Sequence, residues 1–482
     1  MKGKTSMENK LDQICARILK EINPTREDRK NIAEIAKSLE EKIAASAKKR
    51  GIEAKVRVEG SVAKDTWLRK EPDLDIFMCF SPTLTRKKLA EVSLEIAREA
   101  TKGTRQVERF AEHPYLEAFV NNLRINIVPC YNTKRGEWKS ATDRTPFHTN
   151  YVRRRLPKLL RGEVRLLKKF MQGIEVYGAE IKTGGFSGYL CELLILHYKS
   201  FSETLSAFAD STARIVIDME NHYEGRKRDI ELLFPEPLVV IDPVDNGRNV
   251  ASAVQAQKVH TFIGASRAFL KEPNKQLFDG DRTKALSVKG LEKKLEHRGA
   301  NLVLVTLKAV EAVPDVLWGQ YYKTQRALRK LLEINDFHVL RDTIWTDEKN
   351  LTAFVLELEQ RVIPKLKKHV GPPLERKSEC EDFLAKYADH NSVIAGPYVE
   401  NGRWLVELPR KHVDAVKLLK SKLKGGGRNT GIADLVSNAI SKGFNVAINE
   451  EIVKAYNGNK VFAVFLTKFL NGRPFWLKAA KA

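Results

Sequence analysis

Two aspartates, Asp73 and Asp75, alternate with apolar residues in the segment DLDIF (73–77). In a β-strand, side chains two positions apart point to the same face, so we expect the two carboxylates to lie side by side. Neighbouring carboxylates repel each other unless a cation lies between them. Their oxygen ligands suit Mg²⁺, which proteins usually hold with one or two carboxylates while substrate phosphates complete the coordination. The pair therefore predicts a magnesium site for a phosphorylated substrate.

A glycine-serine turn, Gly60-Ser61, precedes this strand in GSVAKDTWL (60–68). The backbone N–H groups and the hydroxyl of such a turn are suited to phosphate oxygens. The turn and the carboxylate pair together predict metal-assisted phosphoryl or nucleotidyl transfer. The alternative for a bare Asp-x-Asp is a solvated edge strand with surface aspartates. The turn, Trp67 and the apolar residues behind the aspartates favour the functional interpretation.

The charge balance indicates a polyanionic partner. Lys and Arg number 84 against 61 Asp and Glu in 482 residues, a formal net charge of +23. Nucleic acid is the first candidate, an anionic membrane the second, and a merely soluble basic surface is the alternative. The five scattered cysteines include no Cys-x-x-Cys pair, which indicates reduced thiols. Because no apolar stretch approaches the roughly 18 residues of a membrane span, the sequence predicts a cytoplasmic protein that does not cross a membrane.

The elements that must position these residues alternate between helices and strands. Helical spacing covers residues 7–50 and 152–210, and β-rich segments predict strands. The predicted strands are AKVRVEGS (54–61), DLDIFMCF (73–80), LRINIVPCY (123–131), EPLVV (236–240), NLVLVTLKAV (301–310), TAFVLELE (352–359) and RWLVELP (403–409). A helix is expected to begin at Asn249, and KLKGGGRNTG (422–431) is expected to be a basic hinge. This order predicts an α+β protein with several domains.

Several further segments carry a resemblance to a known family. They are EHPYLEAFV, NIVPCY, SATDRTPFH, EVRLLKKF, YGAEIKTGGFSGYLCELLI, IDPVDNGRNVA and ENGRWLVELPRK. Their order and spacing, from about residue 25 to about residue 415, resemble the archaeal-type (class I) CCA-adding enzymes, which are tRNA nucleotidyltransferases. The segment GSVAKDTWL followed by DLDIF resembles the signature of the wider polymerase-β-type nucleotidyltransferases.

The resemblance implies a fold and a domain order. It implies a polymerase-β-like nucleotidyltransferase head (1–151), a mostly helical neck for nucleotide and base recognition (152–265) and an α+β body and tail for tRNA binding (266–424). Residues 425–482 form a C-terminal extension for which the sequence gives no role. The oligomeric state stays open between a monomer and a homodimer.

The resemblance also implies roles for individual residues. Asp73 and Asp75 match the metal-binding pair. The remaining matches concern the incoming nucleotide: Ser61, Lys64, His148, Lys168, Tyr177 and Arg248. Lys64 stands where arginine is common, and Arg248 matches an arginine that helps to read the incoming base together with the RNA.

One position departs from the family pattern. Asn126 stands where the family has a third carboxylate, and strand alternation predicts that it completes a catalytic, metal-binding triad with Asp73 and Asp75. An amide oxygen can touch a metal, but it carries no charge and cannot act as a base. Three interpretations follow: a compensating carboxylate, for example Glu112 or Glu117; a substitution that keeps substrates bound without turnover; or a non-catalytic RNA-binding protein.

The implied activity is addition of C, C and A to the tRNA 3′ end from CTP and ATP, with Mg²⁺. The alternatives are a poly(A)-type transferase of the same superfamily and a non-catalytic tRNA-binding protein. The expected partner surface is the acceptor stem and 3′ end of tRNA, which proteins read by shape and phosphates. The basic runs RRRLPKLLR, RKKHV and KLLKSKLKGGGR are candidates for phosphate contacts, although each is equally consistent with a solvated basic surface.

Overall fold

The computed structural model describes residues 2–110, 112–121 and 123–477. The chain forms two compact units: unit 1 holds the residues up to Arg282 and those from Pro474 onward, and unit 2 spans Thr283–Arg473. The helices of unit 1 are α1 (Lys2–Ile22), α2 (Arg26–Lys49), α3 (Gly60–Lys64), α4 (Arg86–Ala100), α5 (Thr145–Arg155), α6 (Leu160–Gly173), α7 (Gly188–Tyr198), α8 (Phe201–Ala209), α9 (Lys227–Leu233), α10 (Ala256–Lys271) and α11 (Gln276–Asp279). Its strands are β1 (Ala54–Glu59), β2 (Asp73–Phe80), β3 (Arg105–Phe110), β4 (Pro114–Val120), β5 (Leu123–Tyr131), β6 (Ile215–Ile217), β7 (Leu238–Asp242) and β8 (Asp245–Asn249).

A five-stranded sheet carries the two aspartates. Its strand order is β1-β2-β5-β4-β3, with β2 and β5 parallel and every other neighbouring pair antiparallel. Residues of β2 alternate between the two faces, and Leu74 and Ile76 are fully buried in a core shared with α2 and α4. The opposite face of β2 therefore presents the side chains of Asp73 and Asp75. The strands predicted at 73–80 and 123–131 are confirmed, and the strand predicted at 54–61 is confirmed over Ala54–Glu59, because Gly60 already begins α3.

The second part of unit 1 is mainly helical. Its core is rich in aromatic rings, and Phe170 of α6 packs edge to face against four other phenylalanines. The prediction that a helix begins at Asn249 is wrong, because Asn249 ends β8 and α10 begins only at Ala256. The Asn249 side chain accepts the backbone N–H of Val240 at 2.9 Å and so joins β8 to β7 instead of capping a helix.

Unit 2 is an α+β unit with two antiparallel sheets. Its helices are α12 (Val288–Arg298), α13 (Pro314–Glu333), α14 (Lys377–Tyr387), α15 (Ala415–Leu423), α16 (Asp434–Lys442), α17 (Val453–Gly458) and α18 (Lys460–Asn471). Its strands are β9 (Asn301–Lys308), β10 (Val339–Thr346), β11 (Leu351–Leu358), β12 (Leu366–Pro373), β13 (Ala395–Glu400), β14 (Arg403–Pro409) and β15 (Phe444–Ile448). The sheet orders are β10-β11-β9-β15 and β12-β14-β13.

The domain division in the structure differs from the predicted boundaries. The boundary predicted at 265/266 lies inside the continuous helix α10, and the division between the units falls at Arg282/Thr283. The predicted extension 425–482 contributes β15, which pairs with β9 in the larger sheet of unit 2. Hydrogen bonding between strands far apart in sequence thus makes the part of this segment up to Arg473 belong to unit 2, whereas the residues from Pro474 onward belong to unit 1. Within the described ranges, the helices include none long and apolar enough to cross a membrane.

Candidate active site

The parallel register of β2 and β5 pairs each aspartate with one polar side chain. Asp73 lies opposite Arg124, and Asp75 lies opposite Asn126. Arg124 donates from Nε to Asp73 Oδ1 at 2.8 Å and from Nη2 to the other oxygen of the same carboxylate. Asn126 donates from Nδ2 to Asp75 Oδ1 at 2.9 Å. The predicted grouping of Asp73, Asp75 and Asn126 on one sheet face is therefore what the structure shows, and Asn126 acts there as a hydrogen-bond donor.

Burial sets the electrostatics of Asp75. It raises the pKa of this carboxyl to about 6, and the negative charge of Asp73 acts in the same direction. The hydrogen bond from Asn126 and the positive charges of Lys64 and Arg124 act in the opposite direction without cancelling the effect of burial. A carboxyl held in this state favours a proton or a metal cation beside it.

Gly60 is required by its contact with Asp75. Its φ is +66°, and a Cβ at this position would lie 2.0 Å from Asp75 Oδ2. Any side chain here would therefore displace the carboxylate, and the backbone conformation itself favours glycine. Ser61 follows in α3 and lines the cleft described below.

Two of the predicted nucleotide-binding lysines share one buried carboxylate. Lys64 Nζ lies 2.5 Å from Glu192 Oε2, and Lys168 Nζ lies 3.6 Å from Glu192 Oε1. Thr66 donates to Glu192 Oε1 at 2.5 Å and accepts from Lys168 Nζ at 3.2 Å. Burial acts to raise the pKa of Glu192, but the two lysines outweigh it and lower that pKa. We call Lys64, Glu192 and Lys168 the buried triad.

His148 and Arg248 meet on a second buried carboxylate. Asp242 is fully buried, and its Oδ2 lies 2.8 Å from His148 Nε2 and 2.7 Å from Arg248 Nη1. Burial lowers the pKa of His148, although the contact with Asp242 opposes this shift. The His148 ring stacks on Tyr189 with centroids 4.2 Å apart, and Lys64 Nζ lies 5.7 Å from the centroid of the same tyrosine. Tyr189 thus links this cluster to the buried triad.

A cleft of about 700 Å³ opens beside these groups. Its lining includes the predicted residues Ser61, Asp73, Lys168 and Tyr177, together with Arg124 and Gly188. Burial raises the pKa of the Tyr177 hydroxyl well above its usual value, so this hydroxyl stays protonated and is available as a donor. From the cleft wall, the Tyr177 hydroxyl can donate to an anionic or hydroxyl-bearing ligand.

The structure also assigns contacts that the sequence analysis missed. Glu192 pairs with Lys64, Asp242 pairs with Arg248, and Arg124 pairs with Asp73. A signal for Glu192 was available, because it is the one acidic residue in the apolar helix GYLCELLILHY. A lone carboxylate in a buried helix requires a partner. Asp242 lies in the segment IDPVDNGRNVA, for which the sequence predicted a role of Arg248 alone.

Of the two carboxylates considered as replacements for an acid at position 126, only one lies beside it. Glu117 of β4 is in register with Asn126, is buried, and pairs with Arg109 at 3.2 Å. Glu112 bonds instead to Arg86 at 3.3 Å and to the backbone N–H of Ala141.

Asp73 and Asp75 are the candidate ligands for a magnesium ion. Within residues 2–110, 112–121 and 123–477, no group of three His, Cys, Asp or Glu side chains could hold a metal by itself. Asp73 and Asp75 supply two carboxylates on one face, and burial and the neighbouring charge of Asp73 raise the pKa of Asp75, so a cation beside it would stabilise its ionised form. Two carboxylates fit Mg²⁺ when substrate phosphates supply further ligands.

The sheet, its carboxylate strand and the adjacent cleft define a nucleotidyltransferase. Residues 40–149 match the family model "Nucleotidyltransferase domain", residues 162–279 match "tRNA nucleotidyltransferase, second domain", and residues 298–449 match "CCA-adding enzyme, C-terminal domain". The predicted fold class, an α+β multidomain protein with a polymerase-β-like head, is confirmed.

Relatives along the whole chain define the family more narrowly. The CCA-adding enzyme of Methanosarcina barkeri is 37% identical over 95% of this chain and 98% of its own length. The CCA-adding enzymes of Methanothermobacter thermautotrophicus and Haloarcula marismortui are 34% and 32% identical, over 94% and 97% of this chain and 97% and 100% of their own lengths. The chain belongs to the family of CCA-adding enzymes, as its sequence motifs predicted.

Proposed function

We propose that this protein adds C, C and A to the 3′ end of tRNA, using CTP and ATP. Membership of the CCA-adding enzymes over nearly the full chain is the observation that carries this proposal. In each step the terminal ribose 3′-oxygen of the RNA forms a bond to the α-phosphorus of the nucleotide. The bond from that phosphorus to the leaving pyrophosphate breaks, and the hydroxyl proton passes to solvent. The cytoplasm, where tRNA is used, is the proposed location.

The two strand carboxylates are proposed to hold Mg²⁺. Asp73 and Asp75 would bind it together with triphosphate oxygens, and the ion would supply Lewis-acid polarisation at the phosphorus when bound. The burial of Asp75 supports this assignment, because a partly desolvated carboxylate gains most from a neighbouring cation.

The other predicted residues are proposed to bind and orient the nucleotide. Ser61, Lys168 and Tyr177 line the cleft and would donate to triphosphate and ribose oxygens. Lys64 is fixed by Glu192 beside them. The remaining pair, His148 and Arg248, would present ring and guanidinium donors to the base, held in orientation by Asp242.

Asn126 is proposed to weaken catalysis more than binding. Its amide donates to Asp75 where an acid would add negative charge, so the ion that would activate the ribose hydroxyl has fewer anionic ligands. The nucleotide-bound ion keeps two carboxylates and its phosphates. This observation favours one second candidate function, a tRNA-binding protein that retains nucleotide but does not extend the RNA.

tRNA binding is proposed to rest largely on phosphate contacts. Arg153, Arg154 and Arg155 at the end of α5 are exposed and basic, as such contacts require. Neutralising several phosphates releases counterions, so we expect tRNA affinity to fall steeply between low and physiological salt.

The test is extension of tRNA that lacks CCA, with CTP, ATP and Mg²⁺, followed by sequencing of the 3′ ends. The proposal expects CCA ends, formed about tenfold faster by Asn126→Asp, since a tenfold rate corresponds to only about 1.4 kcal/mol. Long A tails would support the poly(A)-type alternative. tRNA and nucleotide binding without extension, even in Asn126→Asp and with Mn²⁺, would support the non-catalytic candidate.

A further inference from the structure

Arg124 occupies the carboxylate that the metal is proposed to use. Its guanidinium bonds to both oxygens of Asp73, one of them at 2.8 Å. The two side chains lie opposite each other on β5 and β2, so the pairing follows from the strand register. A divalent cation at Asp73 would repel the guanidinium and compete for the same oxygen lone pairs. Metal binding at Asp73 therefore competes with the present position of Arg124.

The pair is exposed enough to open. The Arg124 side chain is 48% exposed and that of Asp73 39% exposed, whereas Lys64, Lys168 and Glu192 of the buried triad are 7%, 3% and 0% exposed. Exposed ion pairs contribute little to stability, and the groups remain solvated when the pair separates. Arg124 can therefore move at low cost, whereas the lysines of the buried triad are fixed by their carboxylate.

Arg124 also lines the cleft assigned to the triphosphate, together with Ser61, Lys168 and Tyr177. A guanidinium donates several N–H groups in a planar fork that matches phosphate oxygens. A triphosphate entering the cleft brings negative charge to the place where a released Arg124 would be.

We propose that Arg124 is a nucleotide-binding residue that exchanges partners. Without nucleotide it neutralises Asp73; when metal and nucleotide enter, the metal takes Asp73 and Arg124 turns to the triphosphate. The identity of the anion rests on the proposed function. In this exchange Arg124 competes with metal for Asp73 and binds the nucleotide. Removing Arg124 should therefore raise the affinity for free metal and lower the affinity for nucleotide.

The first measurement is Mn²⁺ binding without nucleotide, followed by the electron paramagnetic resonance signal of free Mn²⁺. Arg124→Met should bind Mn²⁺ about two- to fivefold more tightly, as expected for loss of an exposed competing ion pair. Arg124→Lys should fall between Arg124→Met and the unaltered protein. The matched control is Arg98→Met, which removes the similarly exposed Arg98–Glu108 pair elsewhere in the same sheet domain and should change nothing.

The second measurement is binding of α,β-methylene ATP in the presence of Mg²⁺. Arg124→Met should bind it about tenfold more weakly, since charge-assisted bonds to phosphate are lost. The proposal is overturned if Arg124→Met fails to tighten Mn²⁺ binding, or if it leaves the affinity for the nucleotide analogue unchanged. Circular dichroism of each variant checks that the fold is intact, and Arg124→Lys provides the test if Arg124→Met does not fold.

Failure of the proposed function would be distinguishable. Extension of tRNA ending in CC by the unaltered protein and ATP tests that function alone. If extension fails while the two Arg124→Met effects are present, Arg124 exchanges partners in a protein that binds nucleotide without transferring it.

Discussion

Two groups of opposite charges lie close together in unit 1, and they differ in exposure. In the strand pair, Asp73 and Arg124 are more than one-third exposed, and a metal and a nucleotide can separate them. In the buried triad, Glu192 holds Lys64 and Lys168 where little water reaches them, and Thr66 completes the hydrogen bonding. Exposure therefore separates the two groups: Arg124 and Asp73 can change partners during binding, whereas Lys64 and Lys168 stay on Glu192 beside the proposed nucleotide site.

The largest effect is expected where the strand carboxylates lose their charge. Asp75→Asn should lower CCA addition at least about a thousandfold, because losing metal stabilisation of the transition state costs several kcal/mol. Asp73→Asn, which removes the charge of the other strand carboxylate, should lower the activity by a similar factor. The contradicting result is a variant that retains more than a tenth of the activity in single-turnover extension of tRNA ending in CC.

The same variant should be more stable without metal at pH 7.5. The folded pKa of Asp75, about 6, lies above its usual value of 3.8, so ionisation disfavours the folded state. The associated stability is complete below pH 3.8 and is lost as pH rises through 6, a loss of about 3 kcal/mol. Urea unfolding should show Asp75→Asn more stable than the unaltered protein at pH 7.5, whereas Asp73→Asn should show little change because Asp73 is exposed.

Breaking the buried triad should cost stability. Glu192→Gln leaves Lys64 and Lys168 buried without a counter-charge, which typically costs about 3–5 kcal/mol. Urea unfolding measures this loss, and the control Glu108→Gln, which breaks the exposed pair with Arg98, should cost less than about 1 kcal/mol. Equal losses in the two variants would contradict the distinction between buried and exposed pairs.

Metal binding by Asp73 and Asp75 should depend on pH. Protons compete with metal for Asp75 below its pKa of about 6, so Mn²⁺ affinity should fall about fivefold between pH 6 and pH 5. Asp75→Asn should show a much flatter profile over this range. An identical inflection in both proteins would assign the titration to another group.

The smallest expected effect concerns Glu117. Because it lies in register with Asn126 but is paired with Arg109, it should contribute only a modest attraction for the metal. Glu117→Gln should weaken Mn²⁺ binding about threefold, as expected for a charge a few ångström further away that is already paired. Glu112→Gln, on the same strand hairpin but bonded elsewhere, is the control and should have no effect.

The sequence was sufficient to predict that the two aspartates lie on one face of the sheet, because period-two alternation is a local property of β2. It could not reveal that Arg124 and Asn126 would be their partners, since this depends on the register of two strands about 50 residues apart. The close contact of Gly60 with Asp75 also arises only when β1 and β2 pair. The contacts of Glu192 required the packing of α7 against the end of α3 and the segment after it, which no local pattern encodes.

The late position of β15 in the chain has a consequence for biosynthesis. β9 lies between β11 and β15, so one side of β9 has no partner strand until about 140 further residues have been made, roughly 7–28 s at about 5–20 residues per second. Unit 1 likewise receives Trp476 on its core only about 190 residues after Arg282, the last residue of its main part. A ribosome that stalls before β15 has been made would therefore hold a polypeptide with both units unfinished and with one edge of β9 open.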